Sequence, residues 1–523
     1  MDASAGQFGH VDEFPENGLK EIELNGETLL LAKTADGIKA LSGHCPHNGA
    51  PLKKGVRAGD KIICPWHKAV FSLGSGKCLA PPAIDDLQRY AVEVRDGIIH
   101  VQALPESAPQ RIQPDSTQSF AIIGAGAAGF SAAQTLRAEG FSGRIVMIDA
   151  PGRLPYDRTA LSKTFLAKPE GAHPPTLRDE AFYEQQAIER QSGVVEELDV
   201  EQRMIRLHGG AAQRFDAIFI ATGGQANTLD VPGADLAGIY TLRSADDAEA
   251  IKQAASSAKQ VVIVGSSFVG MEVAAALRQR DIAVTVVSPE AVPFEAHLGR
   301  EIGGVIQKLH ESKGVVFKSG EEVAGFSGEK AVNLVRLKSG GHLPADLVIL
   351  GLGTRPSTSF LDGAFTQKDG GVPVDSSLRL ADGVFAGGDI AAFPLWGQGE
   401  RVRVEHWRVA EQQGRIAALN MLQRPARFAQ TPFFWTIQYG QRFDYAGLGR
   451  GDDRLSVRGD LQGDGFIAYY VRDGKVVAAL GHQRDQEMAA IIELLDRRQD
   501  WSVEALHPQG QSPLQVLDKL LKA

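Results

Sequence analysis

The pattern of apolar and polar positions changes character three times along the chain. Up to about residue 104, apolar residues come in short runs separated by the dipeptides Asn25-Gly26, Asp36-Gly37 and Asp96-Gly97, which predicts a small all-β unit built from hairpins. Residues 105–118 (PESAPQRIQPDSTQ) are polar and rich in proline, the composition of a linker between separately folded parts. From 119 to about 430, apolar strands alternate with helical patterns rich in Gly and Ala, which predicts an α/β region with parallel sheet. From 431 onward, apolar and aromatic strands, a hairpin turn at Asp473-Gly474 and a helix near 484–497 predict a compact α+β tail.

One internal repeat sharpens the middle region. The segment FAIIGAGAAGFSAAQTL at 120–136 recurs as VVIVGSSFVGMEVAAAL at 261–277, each a strand, a glycine turn and a helix. The spacing is far too long for a solenoid, so two nucleotide-binding units share the chain. A length of 523 residues, at roughly 100 to 200 residues per domain, leaves room for three or four domains. With 43% hydrophobic and 23% charged residues, a disordered or fibrous chain is excluded. Lys plus Arg at 55 against Asp plus Glu at 64 gives −9, which argues against nucleic acid as a partner. No apolar run reaches the ~18 residues of a membrane span, and the start lacks a signal-peptide pattern. The default location is then the cytoplasm.

The three cysteines, Cys45, Cys64 and Cys78, all fall in the first fifth of the chain, too few and too local for a disulfide framework. Cys45-Pro46-His47 is followed after sixteen residues by Cys64-Pro65-Trp66-His67. One Cys and one His from each of two loops suit a cluster with two unequal irons, Cys45 and Cys64 on one and His47 and His67 on the other. A zinc clip is the alternative on ligand pattern. His44 reads as a surface residue and Cys78 as a small buried hydrophobe. In these motifs, and in the GSGKCLAPPA stretch downstream, the first 104 residues resemble the Rieske 2Fe-2S domains. No extra cysteine pair accompanies the loops, so the likeness is to the soluble ferredoxin type.

Gly124-x-Gly126-x-x-Gly129 follows the strand FAII and opens a helix, and Asp149 stands twenty residues past Gly129 at the end of the strand IVMID. The glycines supply a tight turn, room for a pyrophosphate and close helix packing, while Asp149 would accept from a ribose. The second unit reads Gly265-x-Ser267-x-x-Gly270, with a serine in the middle position whose hydroxyl could donate to a phosphate oxygen. Its following strand ends at Ser288, with Glu290 two residues on and no Arg before Arg300. That arrangement leans to NADH over NADPH.

These units, with Ala221-Thr222-Gly223-Gly224 after AIFI and Gly387-Gly388-Asp389 after VFA, resemble the FAD-dependent pyridine nucleotide oxidoreductases over residues 119 to about 523. The resemblance implies that the first unit binds FAD, the inserted second unit binds NAD(P)H, and Asp389 reaches the ribityl chain. The expected layout is a Rieske domain (1–104), the linker, an FAD domain (119–240 and 359–430), an NAD(P)H domain (241–358) and a dimerisation-like α+β domain (431–523). No Cys follows residue 78, which excludes a disulfide reductase. Pro155-Tyr156-Asp157-Arg158 and Leu161-Ser162-Lys163 are similar to segments of the oxygenase-coupled ferredoxin reductases and of apoptosis-inducing-factor-like proteins. In those families the Lys pairs near the flavin N5 with a Glu of the second unit, here Lys163 and Glu272. A structural ion pair is the other reading of the two.

Glu405-His406-Trp407 and Phe434-Trp435-Thr436 resemble family segments against the isoalloxazine, although Trp407 and Trp435 also read as core aromatics. Ile437 replaces an acid common in the family. Since nicotinamide gives two electrons and a 2Fe-2S cluster takes one, flavin is the cofactor that can join them. The expected path runs from NAD(P)H through FAD and the Rieske cluster to an outside acceptor, an oxygenase, a ferredoxin or a small molecule. The two histidines are the expected solvent-facing exit, and the linker would let the Rieske domain swing. Alternatives are an NADH oxidase acting on oxygen or a quinone, and a non-catalytic redox sensor.

Overall fold

The computed structural model of the protein describes residues 5–15, 18–104, 112–150, 152–168, 173–397, 399–497 and 500–522. Residues 105–111 of the expected linker lie outside these.

The N-terminal part is all β. A six-stranded antiparallel sheet runs in the order Ala5–His10, Ile98–Ala103, Arg89–Arg95, Gly37–Ser42, Glu27–Thr34, Leu19–Leu24. The run Leu29-Leu30-Leu31-Ala32 is buried on both faces. Leu29 and Leu31 pack with Tyr90 and Ile99, while Leu30 and Ala32 pack with Cys45 and Cys64, the alternation that a strand's period of two imposes. A second, four-stranded sheet of Val56–Ala58, Lys61–Ile63, Val70–Ser72 and Cys78–Ala80 carries the Cys64 loop between its middle strands.

Two parallel sheets follow. The first is ordered Ile188–Ser192, Arg144–Asp149, Ser119–Ile123, Ala217–Ile220, Val384–Ala386, Arg379–Ala381, with the last strand antiparallel. The second is ordered Ile239–Thr241, Leu347–Leu350, Gln260–Val264, Ala283–Ser288, Val315–Ser319. Each unit also has its own three-stranded antiparallel sheet, so the repeat seen in the glycine turns extends to the whole unit. A short pair, Gly224–Ala226 with Thr354–Pro356, carries the chain out of the first unit and back. The Trp407–Met421 helix lies on the Ala127–Ala138 helix so closely that a Cβ at Gly414 would sit 2.2 Å from the Ala128 carbonyl oxygen.

The C-terminal sheet, ordered Phe433–Gln438, Gln441–Gly447, Lys475–His482, Gly465–Arg472, Arg454–Asp460, is antiparallel. Both of its faces are covered. Phe466, Ala468 and Tyr470 pack with Met271 and Phe294 of the second nucleotide unit. Ile467, Tyr469 and Val471 pack with Met488, Ile491 and Leu495 of the Asp485–Arg497 helix, and with Val56, Ala58 and Ile63 of the N-terminal domain. A further helix, Pro513–Lys522, covers the same side.

The N-terminal domain is therefore docked. Lys68 Nζ lies 2.7 Å from Asp444 Oδ2, with the two side chains 0% and 2% exposed. Arg408 donates to the carbonyls of Pro81 at 2.8 Å and Lys68 at 3.1 Å. Arg415 donates to Cys78 O at 3.1 Å, and Arg178 pairs with Asp85. Cys78, expected as a plain hydrophobe, lies at this seam with its Sγ 3.5 Å from Arg415. No described helix is long and apolar enough to cross a membrane.

Candidate functional site

The first glycine turn and its surroundings form a cleft of about 300 Å³. Gly124 has φ +103°, and a Cβ there would lie 2.3 Å from Ala221 O. At Gly126 a Cβ would meet nothing within 4 Å, so the backbone faces open space that a pyrophosphate can enter. Gly129 lies inside the helix against Gly124 O, where a Cβ would sit at 1.8 Å. Asp149, Arg158, Lys163, Ala221, Thr222, Gly223, Glu272, Gly388, Asp389, Trp407 and Trp435 line this same cleft, although they come from widely separated stretches of sequence. Burial pushes the Asp149 carboxyl up against the opposing pull of Arg158. Burial and the nearby Arg243 lower Arg158.

Arg243 escaped the sequence analysis. It reaches in from the second unit, pairs with Asp389 at 2.6 Å and donates to Gly224 O at 2.9 Å. With Arg158 it gives the cleft a second guanidinium group, set against Gly223 and Gly224 and paired to Asp389. His406, which also lines the cleft, has no described partner for its buried Nδ1, and burial lowers its imidazole to about 4. That orphaned group and the open cradle at Gly126 fit a bound dinucleotide.

Lys163 sits on the π-helical turn Leu161–Phe165. Its Nζ lies 2.9 Å from Glu272 Oε2. Ser162 Oγ donates to the same oxygen at 2.5 Å and Thr436 Oγ1 to Oε1 at 2.7 Å. Glu272 is thus a buried acid with a charge partner and two hydroxyl donors.

In the second unit Gly265 has φ +98°, and a Cβ would lie 2.4 Å from Gly351 O. Ser267 Oγ caps the Phe268–Arg278 helix by accepting from Gly270 N at 3.3 Å, which leaves its hydroxyl hydrogen available to a phosphate oxygen. Ser266 Oγ beside it contacts Ser288 Oγ at 2.9 Å and Glu290 Oε2 at 3.1 Å. Glu290 is thereby fixed at the strand end, while Arg300 is drawn away to Glu295 at 2.6 Å.

At the tips of the N-terminal loops the four donors sort two and two. Cys45 and Cys64 are buried, with their thiols within hydrogen-bond reach of one another. His47 Nδ1 and His67 Nδ1 are 3.0 Å apart. Burial disfavours the charged form of both imidazoles, so they are neutral, as ligands must be. This two-and-two sorting suits two irons with two protein ligands each.

His67 does not face solvent as expected, and His47 is half-buried. His67 is 5% exposed, and its ring centroid lies 4.4 Å from that of Trp435, with His47 at 6.3 Å. The docked domain turns its imidazole pair inward, onto a tryptophan that lines the flavin cleft.

Residues 118–414 match the model of the pyridine nucleotide-disulphide oxidoreductases, residues 6–91 that of the Rieske [2Fe-2S] domain and residues 433–515 that of the reductase C-terminal domain. The chain belongs to the pyridine nucleotide-disulphide oxidoreductase family. It carries a Rieske domain in front of that core, and its cofactors are FAD, a nicotinamide nucleotide and a 2Fe-2S cluster. It is 34% identical over 505 residues to human apoptosis-inducing factor 3, covering 93% of this chain and 83% of that one. To the biphenyl dioxygenase system ferredoxin–NAD(+) reductase component of Paraburkholderia xenovorans (strain LB400) it is 35% identical over 408 residues, 77% of this chain and 98% of that one. Among solved structures, the ferredoxin reductase for the CYP199A2 system from Rhodopseudomonas palustris matches with a TM-score of 0.71 and 30% identity, over 77% of this chain and all of that one.

Proposed function

We propose that this oxidoreductase passes electrons from NADH through FAD and Trp435 to its own Rieske cluster, and from there to an external one-electron acceptor. The observation that carries the reading is the position of Trp435, which lines the flavin cleft and lies against His67. Bound FAD supplies the ability to accept two electrons at once and release them singly. The balance is NADH → NAD⁺ + H⁺ + 2 electrons, and a 2Fe-2S cluster takes them one at a time.

The side chains have distinct tasks in this reading. Gly124, Gly126 and Arg158 hold the diphosphate of the flavin nucleotide, Asp149 its ribose and Asp389, paired with Arg243, its ribityl chain. Gly265, Ser267, Gly270 and Glu290 hold the nicotinamide nucleotide, with Ser266 fixing Glu290. Lys163, anchored by Glu272, places a positive charge in the cleft where electron density arrives. Cys45, Cys64, His47 and His67 hold the cluster, and neutral imidazoles raise its potential enough to draw electrons from the flavin side. The similarity to a dioxygenase reductase component makes an oxygenase or a small ferredoxin the class of acceptor.

The test is anaerobic mixing with NADH, following flavin bleaching optically and the rhombic Rieske signal by EPR. In the wild type both changes are expected. Trp435→Ala should bleach at the wild-type rate and reduce the cluster about tenfold more slowly. Equal cluster reduction in the variant would overturn the path, and bleaching without any Rieske signal in the wild type would favour an NADH oxidase.

A further inference from the structure

The strand Phe433–Gln438 presents Trp435 to the Rieske domain on one face and Phe434, Thr436 and Gln438 on the other. On that second face a line of buried polar groups runs away from Glu272. Thr436 Oγ1 is 2.7 Å from Glu272 Oε1, Gln438 Nε2 is 3.4 Å from Thr436 Oγ1, Gln438 Oε1 contacts His310 Nε2, and Tyr439 OH is 3.2 Å from His310 Nδ1. Thr436, Gln438 and His310 are all buried.

The donors in this line can be assigned from one end. Glu272, in its ion pair with Lys163, accepts on both oxygens, so the Thr436 hydroxyl donates to it. Thr436 must then accept from the Gln438 amide nitrogen, which leaves the Gln438 oxygen facing His310. His310 Nε2 therefore carries the hydrogen. Burial lowers the His310 imidazole to about 4, so it is neutral with one hydrogen to give, and its Nδ1 accepts from the Tyr439 hydroxyl. Every bond points the same way, from Tyr439 to Glu272, and a chain of aligned hydrogen bonds polarises each member in turn.

We propose that His310 and Gln438 are positioning residues for flavin reduction: they aim the Thr436 hydroxyl at Glu272 and thereby set the charge that the Lys163–Glu272 pair presents to the cleft. The inference rests on the reading of that pair as part of the flavin site. With the chain intact, part of the carboxylate's charge is drawn onto the Thr436 hydroxyl and away from the cleft. With the chain cut, Thr436 is free to turn, the full negative charge of Glu272 faces the cleft, and electrons arriving there are disfavoured.

The experiment compares FAD-loaded full-length wild type with His310→Leu, His310→Gln, Tyr439→Phe and Glu272→Gln. The readouts are the flavin midpoint potential and the rate of bleaching by NADH under anaerobic conditions. His310→Leu is expected to bleach about tenfold more slowly with unchanged half-saturation by NADH, and to lower the potential by about 30 mV, the two-electron equivalent of a tenfold change. His310→Gln keeps an amide donor for Gln438 and should recover most of both. Tyr439→Phe removes only the outermost donor and should shift both readouts the same way by a smaller amount, so the prediction stands even if His310→Leu does not fold. If Glu272→Gln alters potential and rate while His310→Leu and Tyr439→Phe match the wild type, the chain has no positioning role. If Glu272→Gln also matches the wild type, the reading of the Lys163–Glu272 pair falls, and this inference with it.

Discussion

Glu290 illustrates how one side chain can select a nucleotide. Its Oε2 is held by Ser266 at 3.1 Å and its backbone N–H donates to Ser288 Oγ at 3.2 Å, so a carboxylate is fixed at the end of the second unit's strand. A carboxylate accepts hydrogen bonds from a ribose diol and repels a 2′-phosphate. The ratio of kcat/KM for NADH over NADPH should fall about tenfold in Glu290→Ala, the loss of about 1.4 kcal/mol of discrimination. Steady-state assays with both nucleotides check this, and an unchanged ratio would place selection elsewhere. At this scale the sequence was most informative where chemistry is local. The two Cys-x-His/Cys-x-x-His loops and the glycine turns declare themselves because their spacing is the chemistry. Arg243 gave no signal, since it reaches Asp389 across 146 positions of chain, and the cap that Ser267 adds to its expected role needs the helix start in view.

The Asp485–Arg497 helix carries a pH dependence that belongs to the element. Asp496 near its end is exposed along one side and accepts from Thr431 N at 2.6 Å on the other, and the protein packed around it pushes its carboxyl up from an ordinary 3.8 to about 6. The folded chain thus holds a proton that the unfolded chain releases between these values. Its contribution to stability is present below that window and is lost as pH rises through about 6, reduced by solvent screening on its exposed side. Asp496→Asn keeps an oxygen for Thr431 N and cannot ionise. Its thermal unfolding midpoint should exceed the wild type's above pH 6 and show a flatter pH profile, and parallel profiles would sink the assignment. This helix was legible from its apolar period, as were the strands on either side of the Asp473-Gly474 turn. The Pro513–Lys522 helix was not, although Leu514, Leu517 and Leu521 have helical spacing, because ten residues at a chain end carry little periodic signal.

What no periodicity could supply is the placement of the domains, and the function turns on it. A polar linker suggested a Rieske domain free to swing, with its histidines toward solvent. Side chains far apart in sequence instead close the seam: the buried Lys68–Asp444 pair, the Arg408 and Arg415 donors, and Val56, Ala58 and Ile63 in the core of the C-terminal domain. Lys68 follows ligand His67 directly and has φ +60°, a conformation costly for a residue with a Cβ, which the ion pair offsets. Trp66, on the other side of His67, is 37% exposed, so the cluster loops reach solvent without undocking. Two models of turnover then make opposite predictions. If electrons cross only while the domain is docked, Lys68→Ala leaves Asp444 with a buried charge beside Arg442 alone, weakens the seam by about 3–5 kcal/mol, and should slow flavin-to-cluster transfer and cytochrome c reduction together. If the domain must swing away to export its electron, the same variant should leave export unchanged or faster. The docked geometry predicts the first outcome, with flavin bleaching by NADH unaffected, and stopped-flow kinetics with optical and freeze-quench EPR detection distinguishes the two. Faster export in Lys68→Ala would restore the swinging domain and make the inward-facing histidine pair a resting state instead of the working one.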